Sequence, residues 1–146
     1  MEQRIIEPGE KYSGLDDWIK ESGCRKILLV CDESVRYQKK LNEHLDEADG
    51  TGAEIIRFSD FQPNPLYENV RNGVQVFRKE QCDGIMAIGG GSAIDVAKCV
   101  KLYSNLPGDG ENGAWLNAET VPNDIPFLAA PTTAGTGSEA TRYSVI

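Results

Sequence analysis

The sequence predicts an α/β fold in which a parallel sheet is covered by helices on both faces. Short apolar segments alternate along the chain with segments whose apolar residues recur every three or four positions. Within the apolar segments polar and apolar residues do not alternate, which is typical of strands that are buried on both faces. Alternation of such strands with amphipathic helices favours a parallel sheet between two helical layers.

The individual elements follow from these patterns in chain order. Four strands are predicted from short apolar runs beside turn signals, at residues 26–31, 54–58, 84–88 and 127–130. Residues 4–6 are a candidate extra strand. Helical spacing of apolar residues predicts four helices, around Leu15 to Ile19, Tyr37 to Ala48, Leu66 to Phe77, and Ala93 to Tyr103. The segment 104–126 is rich in Gly, Pro, Asn and Asp, and we expect it to be irregular, with Trp115 belonging to no obvious local core.

The composition predicts one domain over residues 1–146. The chain has 15 Lys or Arg against 23 Asp or Glu, a formal net charge of −8, and 40% hydrophobic residues, enough for a full core. This acidic balance argues against a nucleic-acid or anionic-membrane partner, because both bind concentrations of Lys and Arg. No apolar run reaches the roughly 18 residues of a membrane span, and the N-terminus lacks a signal-peptide pattern, so we expect a cytoplasmic protein.

Cysteine and histidine usage limits the possible chemistry. The four cysteines have no CxxC spacing, and we expect them to be reduced and mostly in the core. The only histidine, His44, lies on the apolar face of a predicted helix and is assigned no role. A single histidine leaves little material for a zinc site, a histidine-based triad or a histidine general base.

The most informative segment is a glycine turn, Gly89 to Gly91, that joins a predicted strand directly to Ser92 and a helix. In a parallel sheet this turn lies at the carboxyl ends of the strands, where ligands bind. Glycines let a phosphate approach backbone N–H groups, and a helix N-terminus adds unpaired donors and partial positive charge, so a diphosphate fits there. Ser92 and Asp95 also match a capping arrangement. The alternative is a tight connection that the two residues merely cap, and the turn matches neither a P-loop nor GxGxxG.

Asp32 follows an earlier predicted strand, at the same edge of the sheet as the glycine turn. A carboxylate there can accept hydrogen bonds from a nucleotide ribose. It also disfavours a 2′-phosphate, since two like charges about 4 Å apart at an effective dielectric near 20 cost roughly 4 kcal/mol before screening. NAD is therefore favoured over NADP. The alternative is that Asp32 and Ser34 cap the following helix.

A third loop, residues 131–139, follows the last predicted strand and is crowded with hydroxyls and small residues. Its threonines and N–H groups can line a ligand without adding charge. The alternative is a hydroxyl-rich turn before a helix capped by Thr136 or Ser138. Convergence of all three loops at one sheet edge favours a ligand site.

The segments GGGSAIDVAK at 89–98 and PTTAGTGSE at 131–139 resemble the iron-containing, or group III, alcohol dehydrogenases. Milder matches are LLVCD at 28–32 and the Pro63-Asn64-Pro65 turn, so the resemblance extends over essentially the whole chain. It implies a Rossmann-like domain that binds a nicotinamide dinucleotide. It implies that Gly90, Gly91 and Ser92 contact the diphosphate and that Asp95 lies near the nicotinamide end. It also implies that Thr132, Thr133 and Thr136 line the cofactor along its length. Asp32 would contact the adenosine ribose, and Asn64 would lie near the adenine side.

The resemblance also implies a parent reaction, reversible hydride transfer between an alcohol or aldehyde and the nicotinamide. In the family an aspartate and three histidines hold a divalent metal, iron or zinc, in or near a helical second domain that follows the TGSE loop. We expect this chain to lack that domain, to bind no metal and to be inactive alone, with a homo-oligomer as the assembly. A domain that normally packs against another one should expose apolar surface at the sheet edge and around Trp115.

Two alternatives remain open at this stage. One is a relative of glycerol dehydrogenase or dehydroquinate synthase from the same superfamily, and the residues that choose a substrate would lie outside this chain. The other is a non-catalytic nucleotide-binding module.

Overall fold

The computed structural model describes residues 4–6, 13–32, 39–46, 52–119, 123–131 and 143–145. The strands are β1 Arg4–Ile6, β2 Lys26–Cys31, β3 Glu54–Phe58, β4 Gly84–Gly89, β5 Phe127–Pro131 and β6 Tyr143–Val145. The helices are α1 Ser13–Ser22, α2 Lys39–Asp46, α3 Tyr67–Lys79 and α4 Gly91–Tyr103, and a 3-10 segment spans Glu111–Asn117. All predicted strands and helices are present, and the ends of α2 near Tyr37 and Ala48 lie outside the described residues.

The strands form one sheet in the order β1-β6-β5-β4-β2-β3. The four strands β3, β2, β4 and β5 are mutually parallel, which confirms the predicted parallel sheet. At the opposite edge β6 pairs antiparallel with both β5 and β1. Strand β6 is not predicted from the sequence, because its three residues are too few to show a strand pattern.

The parallel strands are buried on both faces, as their apolar sequences predict. On one face Leu28, Ile85 and Phe127 pack with α3 and α4. On the other face Leu29 and Met86 pack with α1 and α2. The central strands β2 and β4 are buried along almost their whole length, so they hold the ends of their following loops in fixed positions.

All four cysteines are free thiols, as the sequence analysis expects. Cys24, Cys31 and Cys82 are buried and Cys99 is half-buried. Burial is the main cause that raises the pKa of the Cys82 thiol to about 11. These side chains therefore behave as neutral core residues near neutral pH.

The segment after α4 differs from its prediction, because Trp115 is buried, with 2% of its surface exposed. Its ring stacks on Tyr103 with centroids 5.8 Å apart and meets Tyr67 edge-on at 6.5 Å. The Tyr67 hydroxyl donates to the carbonyl of Gly110 at 2.6 Å and accepts a hydrogen bond from the backbone N–H of Trp115 at 3.3 Å. The Trp115 ring itself is therefore not part of an apolar surface, since Tyr67 of α3 and Tyr103 of α4 cover it. The neighbouring Leu116 is 62% exposed, so the segment still presents one large apolar side chain to solvent.

Arg78 of α3 binds the same segment through its guanidinium group. Its guanidinium donates to the carbonyls of Ser104, Leu106 and Gly108 and lies 5.4 Å from the centroid of the Trp115 ring. These carbonyls would otherwise lack partners where α4 ends and the chain turns. The segment is thus pinned to α3 by charge-assisted hydrogen bonds and by aromatic packing.

Within the described part of the chain, the helices are all too short or too polar to span a lipid bilayer.

We predict that Trp115→Ala lowers the free energy of unfolding by about 3 to 5 kcal/mol, the usual loss for a buried aromatic side chain. Leu116→Ala is the matched control, because Leu116 is the next residue and is 62% exposed. Its effect should stay within about 0.5 kcal/mol. Urea denaturation followed by tryptophan-independent far-UV circular dichroism measures both values. Equal losses for the two variants would contradict the packing described for Trp115.

Candidate functional site

The parallel pairing of β2 with β4 brings two of the predicted loops together. Cys31 is in register with Ile88, so Asp32 and Gly89 follow at the same edge of the sheet. Strand β5 extends this edge, since its last residue, Pro131, is in register with Gly89. Pro131, the first residue of the third loop, therefore lies beside the glycine turn, and residues 132–139 of that loop lie outside the described residues.

Asp32 contacts the glycine turn itself. Its Oδ2 atom accepts a hydrogen bond from the Gly90 N–H at 2.8 Å. Gly89 has φ +147, and a Cβ atom built on it would lie 2.5 Å from Oδ2 and 2.7 Å from Cγ of Asp32. Only glycine fits at position 89, because both the backbone conformation and the nearby carboxylate exclude a side chain.

Helix α4 begins at Gly91, with Gly90 as its N-cap residue and no side-chain capping hydrogen bond. The predicted cap by Ser92 and Asp95 is therefore wrong. The helix starts earlier than that pattern requires, so Ser92 already lies inside its first turn. The Ile94 N–H donates to the Gly90 carbonyl at 3.3 Å, and the N–H groups before it have no acceptor within the helix.

The beginning of α4 is also sterically open. Among the described residues, no atom lies within 4 Å of a Cβ atom built on Gly91, and Gly91 is exposed. Ser92 is half-buried beside it. First-turn N–H groups, the positive end of the helix dipole and open space together can bind an anion.

The other predicted site residues are not shown in contact with Asp32 or with the glycine turn. Asp95 is exposed on α4. Burial of the Cys99 thiol is the main cause of its raised pKa, and the negative charge of Asp95 is the second cause. Asn64 is exposed with φ 55, and within the described residues it makes no hydrogen bond to Asp32 or to the glycine turn. Thr132, Thr133 and Thr136 lie outside the described residues.

Gly89 is the residue that the sequence analysis missed. It is the last residue of β4, where its φ of +147 and the nearby Asp32 carboxylate both disfavour a side chain. The available signal was the length of the glycine run, because a phosphate approach to Gly90 and Gly91 leaves the first glycine unexplained.

The described residues do not fit a metal ion. They contain no group of three or more His, Cys, Asp or Glu side chains that could hold one. His44 lies on α2, and its Nε2 atom is 2.7 Å from Oδ1 of Asp16 on α1.

Residues 3–146 match the family described as "Iron-containing alcohol dehydrogenase". The chain belongs to this family. It is 42% identical over 130 residues to a 1,3-propanediol dehydrogenase from Citrobacter freundii, covering 85% of this chain and 32% of that protein. It is 36% identical over 131 residues to an NAD-dependent methanol dehydrogenase from Bacillus methanolicus, covering 88% and 33%.

Solved structures agree with the fold. The crystal structure of a 1,3-propanediol oxidoreductase superposes with a TM-score of 0.71 at 29% identity, covering 99% of this chain and 42% of that one. A sulfoacetaldehyde reductase from Bifidobacterium kashiwanohense, solved in complex with NAD+, gives a TM-score of 0.68 at 28% identity, covering 90% and 34%. The chain therefore spans about a third of the curated relatives and corresponds to the N-terminal part of the family.

We predict that Gly89→Ala lowers the free energy of unfolding by about 1 to 3 kcal/mol, because alanine is strained at φ +147 and its Cβ meets the Asp32 carboxylate. Gly91→Ala is the matched control, since its Cβ enters open space at a helical position. That variant should be as stable as the wild type or slightly more stable. Chemical denaturation monitored by circular dichroism compares them, and equal stability of the two variants would refute the constraint at Gly89.

Proposed function

We propose that this chain binds NAD and forms the nucleotide-binding part of a metal-dependent alcohol dehydrogenase. The observation that carries the proposal is the open N-terminus of α4, reached through the glycine turn beside Asp32. The family supports it, since relatives are named as an NAD-dependent methanol dehydrogenase and an NAD+ complex. The parent reaction on this proposal is reversible hydride transfer between a small alcohol or aldehyde and the nicotinamide.

The residues present fit the diphosphate of such a cofactor. The N–H groups at the start of α4 offer donors, and the missing side chain of Gly91 leaves room for phosphate oxygens. When bound, NAD supplies the hydride acceptor, and the chain's part is to bind and orient it. The proposed contacts follow the family resemblance: diphosphate to Gly90, Gly91 and Ser92, adenosine ribose to Asp32, adenine side to Asn64, nicotinamide end to Asp95, and the cofactor's length to Thr132, Thr133 and Thr136.

A preference for NAD over NADP is part of the proposal. The Asp32 carboxylate lies at the edge of the sheet where the ribose is expected, and it disfavours a 2′-phosphate by charge repulsion. The net charge of −8 adds no general attraction for an anion. The cofactor is therefore held by local N–H groups and not by the charge of the whole chain.

The metal of the parent reaction is proposed to be held by residues other than those described. The one histidine of the sequence faces Asp16, and the described residues contain no ligand cluster. We therefore propose that these 146 residues bind nucleotide without turning over alcohol on their own. A cytoplasmic location and a homo-oligomeric assembly belong to the same proposal. So does the absence of nucleic-acid or membrane partners, which the acidic composition supports.

NADH fluorescence titration of the purified chain tests nucleotide binding, and we expect saturable binding. Gly91→Leu should weaken NADH binding by about tenfold or more, because its side chain enters the space left for phosphate. Leu116→Ala, on the exposed 3-10 segment, should bind as the wild type does. An alcohol oxidation assay with NAD and added iron or zinc should show no turnover. Absence of NADH binding would refute the nucleotide proposal, and metal-dependent turnover would refute the claim of inactivity.

Asp32→Gly tests the cofactor preference. The ratio of the dissociation constants for NADPH and NADH should fall by about tenfold or more, since roughly 4 kcal/mol of unscreened repulsion is removed. The ratio cancels any loss of affinity that both nucleotides share. An unchanged ratio would show that Asp32 does not discriminate between them.

A further inference from the structure

The Asp32 carboxylate stands in an unexpected position for a group whose only role is to meet a ribose. It lies against Gly89 and accepts a hydrogen bond from the Gly90 N–H at 2.8 Å. This hydrogen bond joins residues 58 positions apart and bridges the ends of two adjacent strands. Asp32 is half-buried, so the bond is partly shielded from water and from salt.

The bond selects which N–H groups remain for a ligand. Gly90 is the N-cap residue of α4, and its N–H already has a partner. The first-turn N–H groups of Gly91 and Ser92 point from the helix start and have no acceptor within the helix. Anchoring of Gly90 therefore sets where the helix begins and leaves the first-turn N–H groups, those of Gly91 and Ser92 among them, as donors.

The negative charge of Asp32 allows a positioning role to be distinguished from a simple charge effect. A carboxylate near a bound diphosphate repels it, so charge alone predicts that removing Asp32 would strengthen the binding of a bare phosphate anion. A positioning role predicts the opposite, because the turn without its anchor must be ordered when the anion binds. The two effects therefore have opposite signs and can be separated by experiment.

We propose that Asp32 is a positioning residue for the diphosphate, in addition to its proposed contact with ribose. Its hydrogen bond from the Gly90 N–H holds the Gly89–Gly90 turn. Of the three residues proposed to contact the diphosphate, Gly91 and Ser92 then donate their N–H groups, and Gly90 only lines the space beside it. The inference rests on the proposed nucleotide-binding function and deepens it. It also explains why Gly89 lacks a side chain, since any Cβ there would displace the carboxylate.

Inorganic pyrophosphate is the probe, because it has no ribose or adenine for Asp32 to contact. Binding to the nitrogen-15-labelled chain is followed by amide chemical shifts in wild type, Asp32→Asn and Asp32→Ala. Asparagine retains an oxygen that can accept from the Gly90 N–H and removes the charge, whereas alanine removes both. We expect Asp32→Asn to bind pyrophosphate at least as tightly as the wild type, and Asp32→Ala to bind about fivefold more weakly than Asp32→Asn, the loss expected for one hydrogen bond.

Equal or tighter binding by Asp32→Ala than by Asp32→Asn would overturn the proposal. A measurement on the wild type alone covers the case in which a variant does not fold. The Gly90 amide should exchange slowly with solvent before and after pyrophosphate is added, while the Gly91 and Ser92 resonances shift. Loss of Gly90 protection on binding, or no shift at all in the wild type, would overturn the inference. NADH titration decides separately whether the proposed nucleotide function holds.

Discussion

The parallel pairing of β2 with β4 is the constraint on which the candidate site depends. Its register places Asp32 beside Gly89, and the Asp32 carboxylate occupies the space that a Cβ atom on residue 89 would need. Burial of both strands between two apolar layers holds that register, because a shift by one residue would exchange side chains between two layers that are packed by different helices. The hydrophobic core therefore determines the geometry of a polar site at its edge.

Most of this fold follows from local pattern. The strands Lys26–Cys31 and Glu54–Phe58 have the bounds predicted from their apolar runs, and β4 and β5 each extend one residue further. Strand β6 could not be predicted, because three residues carry too little periodicity and its pairing is antiparallel in a parallel sheet. Trp115 was misassigned for a similar reason, since its partners Tyr67 and Tyr103 belong to helices earlier in the chain.

The site was predictable in its location more than in its contacts. The glycine run and the position of Asp32 after a strand indicated one sheet edge, and the register confirms this. Capping by Ser92 was wrong because sequence patterns allow several helix starts, and the contact between Asp32 and Gly90 selects one of them. Local sequence carries no signal for a hydrogen bond between residues 58 positions apart.

The hydrogen bonds from Arg78 and Tyr67 to the segment after α4, called the clamp below, bear on the order of folding. The Arg78 bonds span 26 to 30 residues, and the bond from Tyr67 to Gly110 spans 43. The Tyr67 bond closes a loop that contains α3, β4 and α4 in full, and the Arg78 bonds close a smaller loop inside it that contains β4 and α4. The entropy of closing such a loop is lower once those elements have formed, so the clamp should assemble late in folding. It would then act as a latch that slows unfolding and leaves the rate of folding almost unchanged.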